Sequence, residues 1–291
     1  MSSKLIIPTT SSGPRSYDDL FGLHDAAIAA LDRGQAIELD FTKCTFLHQN
    51  AVAFIGGMIR YFQFNGGEVH TVFDKMDEKV RINLRKNGFM EAFGFEKWNG
   101  PSNSIPFRED SHRDISYLNY LRDLWLGRQW VDVSDKVKDA IASAVWEIYA
   151  NAFEHGGASC GVFTCGQFFP GKREISLAFV DFGIGIPASV RTVPKVGHLD
   201  DARAIEWAMK AGNTSKAGNR GMGLDILKTF VVLNGGSMDI VSHRGHLAFG
   251  KLGPCSLVRK RSFLGTVFNI TLLADNKRYI LSSEINPESV F

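Results

Sequence analysis

The sequence predicts an α/β protein built in two parts, and three observations carry that prediction. Strand-like and helix-like segments alternate through the first third. A long helix follows, and beyond it apolar strands alternate with glycine-rich turns. Residues 36–41 (AIELDF) form the first expected strand. Residues 51–64 form an apolar-faced helix ending at Asn65-Gly66-Gly67, where glycine supplies a left-handed cap. Residues 68–73 read as a strand and 78–88 as an amphipathic helix, so the succession implies parallel strands with crossover helices. The run GPSNSIP at 100–106 gathers Gly, Pro, Ser and Asn and reads as a linker. A helical region spans 116–126. A long helix covers 135–155, with Ser134 as N-cap and Gly156-Gly157 as its stop. Strands are expected at 159–165, 174–181, 237–242 and 265–273, and helices at 202–211 and 223–233. The division that results is a first domain at 15–100, a linker at 101–115, a second domain at 116–275 and a tail at 276–291.

Composition narrows the class. A chain of 291 residues can bury two cores, and 44% apolar with 22% charged residues is a globular composition. A net charge of +2 gives no indication of a nucleic-acid partner, and the short cluster Arg259, Lys260, Arg261 reads as a solvated loop. Four scattered cysteines make neither a disulfide scaffold nor a zinc site and read as reduced thiols in a cytoplasmic protein. No segment approaches ~18 continuous apolar residues, so no membrane partner is expected.

Three motifs carry chemistry. On the long helix, EIYANAFEH places Glu147, Asn151 and His155 on one face, four residues apart. Asn151 offers a carbonyl oxygen to a hard cation such as Mg²⁺, and Glu147 can orient or deprotonate a nucleophile. The same face also reads as a solvated polar stripe. In VDFGIGIP a hydrophobic strand ends at Asp181, whose carboxylate can accept from an exocyclic amine and so separate adenine from guanine. Gly183 and Gly185 permit close backbone approach. Gly183, Gly185 and Ala188 also fit a dinucleotide fingerprint, with Asp200 or Asp201 near the ribose position, although Pro187 interrupts it. In GNRGMGLDILK, glycines 218, 221 and 223 lead into a helix whose first amides can hold phosphate, without the Lys-Ser/Thr ending of a P-loop.

In this order the motifs resemble the N, G1 and G2 boxes of the Bergerat-fold (GHKL) ATPases, the superfamily shared by gyrase B, Hsp90, histidine kinases and MutL. GTVFNITL from Gly265 resembles their closing strand. The resemblance implies a C-terminal Bergerat-fold α/β sandwich that binds ATP and Mg²⁺. It implies that Asn151 coordinates Mg²⁺, Asp181 reads the adenine amine, and Gly183 and Gly185 hinge a lid. The amides of Gly221, Met222 and Gly223, leading into Leu224, would hold phosphates, and Thr266 would support the adenine end. The lid would run from Pro187 to Gly221, with Lys216 and Arg220 reaching the phosphates and Glu147 at the position of the catalytic acid.

Residues 36–95 resemble a STAS domain, the fold of anti-sigma factor antagonists. The loop that carries a phosphorylated Ser in that family here reads Phe46-Leu47-His48-Gln49-Asn50, without a hydroxyl. The expected protein is therefore an N-terminal STAS-like α/β domain joined to the ATP-binding domain. It would be a regulatory protein of the anti-sigma factor/serine kinase-like type, whose lid ordering controls a protein partner. The alternative is an ATP-hydrolysing switch of the MutL or Hsp90 kind, dimerising around ATP. A histidine kinase is the third reading, for which His24 and His112 lack a dimerising helical hairpin. Whether ATP is hydrolysed, transferred or only bound stays open.

Overall fold

Apolar residues alternate across two strands after the long helix, and that pattern fixes how the rest of the chain is layered. In the computed structural model, residues 2–284 are described except 12, 14, 74, 155 and 211–221, with the side chains of 222 and 223 also outside the description. The strands are β1 (Ser2–Ile6), β2 (Ala36–Asp40), β3 (Val69–Val72), β4 (Ser104–Asp110), β5 (Asp132–Val133), β6 (Val162–Phe169), β7 (Glu174–Asp181), β8 (Ser237–Phe249), β9 (Cys255–Leu273) and β10 (Arg278–Tyr279). The helices are α1 (Arg15–Asp32), α2 (Gln49–Phe64), α3 (Glu78–Lys86), α4 (Phe89–Ala92), α5 (Ser116–Asn119), α6 (Asp135–Glu154), α7 (Gly185–Arg191), α8 (Asp201–Ala208) and α9 (Met222–Asn234). A π-helical turn at Tyr120–Trp125 continues α5.

Strands β1, β2 and β3 pair in parallel in that order. Right-handed crossovers in such a succession put both connecting helices on one face, where α1 and α2 touch each other. The second sheet is antiparallel throughout, in the order β4-β6-β7-β9-β8. Its strands point successive side chains to opposite faces. Leu177 and Phe179 join the core made with α6 and α9, while Val180, Phe182 and Phe163 join the core made with α1 and α2. The result is four layers: the parallel sheet, α1 and α2, the antiparallel sheet, then α6 and α9.

Several expectations change. The expected linker, 101–115, holds β4, which pairs with β6; Ile105 is fully buried and Phe107 packs against the other core. The Gly-Pro-Ser-Asn run marks only the turn before that strand. The N-terminal unit is α/β and starts earlier than the expected residue 15, because β1 precedes α1. It is fused by α2 to β6 and β7 rather than tethered. The dinucleotide alternative fails because β7 lies antiparallel between its neighbours, with no parallel βαβ unit at the Gly-rich turn.

The Arg259, Lys260, Arg261 cluster is not a solvated loop. Register slips set these residues out of the β8–β9 ladder, and buried Arg259 meets Asp18 of α1 at 2.8 Å. Arg259 also donates to His246 Nδ1 at 3.1 Å, which leaves His246 Nε2–H to donate to Asp239 at 2.7 Å. Arg261 pairs with Asp25 of the same helix at 3.0 Å. The basic run therefore fastens the hairpin to the N-terminal layer. A second polar tie runs through the centre, where Gln49 of α2 donates to Asn269 of β9 at 2.8 Å and both are buried. Among the described residues no helix is long and apolar enough to cross a membrane.

Candidate functional site

Helix α6 is capped as its sequence asks, with the Ser134 hydroxyl accepting from the Val137 amide at 3.2 Å. Its last turn meets the Gly-rich turn after β7: the Gly156 amide donates to the Asn151 carbonyl, and the Ile184 amide to the Gly156 carbonyl at 2.6 Å. A Cβ at Gly183 would collide with that Gly156 carbonyl, and Gly185 sits at φ +77°, its Cα facing the Leu264 carbonyl. Both glycines are thus required by close approach, and the second also by a left-handed backbone. Pro187 falls in the first turn of α7, where a missing N–H breaks no helical bond.

Between α6, α7, α8, α9 and the sheet lies a cavity of about 190 Å³. Five expected site residues line it together: Asn151, Asp181, Gly185, Leu224 and Thr266. Its floor is two cross-strand pairs, Phe179 opposite Phe268 and Asp181 opposite Thr266. The two phenyl rings stack with centroids 4.8 Å apart. Asp181 is buried, its Oδ1 accepts from the Gly183 amide at 2.9 Å, and the Thr266 hydroxyl and amide across the ladder also favour its charged form. Burial nevertheless outweighs those bonds and raises its pKa to about 7.

Glu147 stands one turn before Asn151 on α6, half-buried and outside the cavity lining. Gly183 borders the site through its bond to Asp181. Met222 and Gly223 open α9, so their backbone stands at a helix N-terminus. Lys216, Arg220 and Gly221, together with His155, lie outside the described residues.

Other residues of the site carry no motif. Ser242 is fully buried and organises the turn: its hydroxyl donates to the Gly265 carbonyl at 2.8 Å and accepts from the Ile186 amide at 3.0 Å. Trp207 and Met209 line the cavity from the segment expected as lid. The described part of that segment, 187–210, is built into the fold. Asp201 of α8 holds Arg191 at 2.5 Å and the Arg244 amide at 3.0 Å, Glu206 accepts from Ser256, and the Met209 carbonyl accepts from Lys228. Strand alternation was the available signal for the floor, since Phe179 and Phe268 each lie two residues from a motif residue on the same face.

The lining suits a flat heteroaromatic ring with an exocyclic amine: apolar walls and a buried acceptor at the end. Residues 136–276 match the family model described as histidine kinase-, DNA gyrase B-, and HSP90-like ATPase. The C-terminal GHKL assignment thus has independent support. A GHKL-type domain implies ATP binding, usually with Mg²⁺, and the cavity residues fit that pair. Comparison with curated proteins gives no match. The family match starts at residue 136 and leaves the STAS-like expectation for the N-terminal layer without support.

Proposed function

We propose that this protein binds ATP with Mg²⁺ in the cavity of its GHKL-type domain and uses occupancy to control a protein partner, as anti-sigma factor and serine kinase-like regulators do. The observation that carries the reading is the buried Asp181–Thr266 pair at the end of a cavity floored by Phe179 and Phe268. In this reading the adenine amine donates to Asp181, Thr266 supports that carboxylate, and the first amides of α9 face the phosphates. Asn151 gives the cation one oxygen, the remainder coming from phosphate and water. The expected phosphate contacts of Lys216, Arg220 and Gly221 fall outside the described residues.

The N-terminal layer supplies the surface a partner would meet. Because α2 is packed onto the sheet, nucleotide state would reach that surface through the shared core rather than by swinging a tethered domain. Glu147, one turn from Asn151, keeps the hydrolysing-switch reading in play.

The test follows the γ-phosphate of radiolabelled ATP with Mg²⁺, wild type beside Glu147→Ala and Asn151→Ala. Wild type is expected to bind. Asn151→Ala should lose at least about tenfold in Mg²⁺-dependent affinity, the loss of one charge-assisted contact. Glu147→Ala should still bind and should lose any turnover the wild type shows. Phosphate released by wild type and not by Glu147→Ala would favour the switch, and label on a co-incubated protein would favour the kinase. Equal affinity of wild type and Asn151→Ala with Mg²⁺ would remove the metal assignment.

A further inference from the structure

The residue between the base reader Asp181 and the close-packed Gly183 faces the other way. Asp181 ends β7 and points into the cavity with Phe179, while Phe182 enters the core on the opposite face of the sheet. There its ring is surrounded by the N-terminal layer: Phe54 at 5.5 Å, His24 at 5.6 Å and Tyr61 at 5.6 Å between centroids, the last nearly parallel at 27°. Phe163 and Phe263 of the sheet complete the ring at 6.1 and 5.1 Å. Gly57 of α2 makes the fit possible, because a Cβ there would collide with the Phe182 ring and crowd Phe163. Phe182 is buried, and so are Phe54, Phe163 and Phe263.

We infer that Phe182 is a positioning residue for nucleobase recognition, and that α1 and α2 hold it. The N-terminal layer is then part of what makes the nucleotide site selective for adenine. This rests on the nucleotide reading of Asp181. The Asp181 carboxylate is held on one side by the Gly183 amide and on the other by the β9 ladder at Thr266. Phe182 is the link between those two restraints. A ring gripped by helices of another layer lets that link rotate very little, since a packed core resists even one-methylene changes. Phosphate and cation contacts would come from α9 and α6, whose buried residues belong to the other core. Loosening the ring should therefore blur the choice of base and leave the phosphate-dependent part of the affinity.

The experiment measures the affinity ratio of Mg²⁺·ATP to Mg²⁺·GTP for the full chain, as wild type, Asp181→Asn, Phe182→Ala, Phe182→Leu and Phe182→Met. Wild type is expected to prefer ATP, and Asp181→Asn to lose the preference. Phe182→Ala should lower the ratio by at least about tenfold, because a misplaced acceptor stops discriminating before it stops binding. Phe182→Leu should fall between, and Phe182→Met, which fills irregular apolar space, should recover most of the ratio. Equal loss of ATP and GTP affinity with an unchanged ratio would overturn the inference and leave Phe182 as core packing. If Phe182→Ala does not fold, the Leu and Met variants decide, and a wild-type ratio in both overturns it. If wild type and Asp181→Asn bind both nucleotides alike, the nucleotide reading itself fails first, and the two failures stay distinct.

Discussion

Replacing Asp181 with asparagine is expected to cost at least about 100-fold in ATP affinity while making the empty protein more stable at pH 8. The amide can still accept from the Gly183 N–H at Oδ1, so the turn keeps its bond. What changes is the charge. Burial raises the Asp181 pKa from 3.8 to about 7 in the folded chain, so the fold holds that proton more tightly than the unfolded chain does. Stability from this group is therefore greatest below pH 4, falls as pH climbs from about 4 to 7, and is flat above. The shift corresponds to about 4 kcal/mol at most. Asparagine removes the slope, because it carries no proton to lose. An adenine amine arriving at Asp181 would favour the charged form, so ATP binding to wild type should release a proton near pH 6–7 and weaken below it. Urea denaturation of both proteins across pH 4–8, with and without ATP, checks each part. A wild-type profile parallel to that of Asp181→Asn would show that burial does not perturb this carboxyl.

The second large effect concerns the layer contact. A chain beginning at residue 101 contains every expected nucleotide contact and is expected not to fold by itself. Removing the N-terminal layer bares Phe163, Cys165, Val180, Val241, Phe263 and Val267, none more than 1% exposed in the whole protein. At ~1.5–3 kcal/mol for each fully buried side chain, about 10 kcal/mol of burial disappears. Domain stabilities are about 5–15 kcal/mol in total. The loss also strands Arg259 without Asp18 and Asn269 without Gln49. Residues 101–291 should be insoluble or bind hydrophobic dyes, whereas a soluble fragment with sharp, dispersed amide resonances would mean that the layers are separable.

These two expectations show which parts of the structure were legible in the sequence. Helix α6 was visible because Ser134, the apolar stripe at Ile141, Val145 and Ile148, and the following glycines all point the same way. Strand β7 was legible end to end, and Asp181 and Thr266 were found as separate motif residues that the ladder then paired. Local signals of this kind reach only a few residues along the chain. β4 was missed because its strand pattern lies against a run of turn formers. The outer half of the β8–β9 hairpin was missed because glycines and the irregular register hide its alternation. Phe182 and Ser242 were invisible for a different reason. Each acts through a partner far away in sequence, α2 for the ring and Gly265 for the hydroxyl, and no spacing rule connects them. The described part of the expected lid, 187–210, carries α8 and most of α7, tied to the fold through Asp201, Glu206 and Lys228, and the rest lies outside the described residues.

Trp207 at the cavity wall gives the molecule an optical consequence. Of the chain's five tryptophans, it is the one found among the lining residues, while Trp125 is buried in the core shared with α6. Indole emission shifts in energy and yield when water beside it is replaced by an aromatic surface. Occupancy of the cavity is therefore written into the protein's own fluorescence, and a titration can follow it on the unlabelled chain in real time.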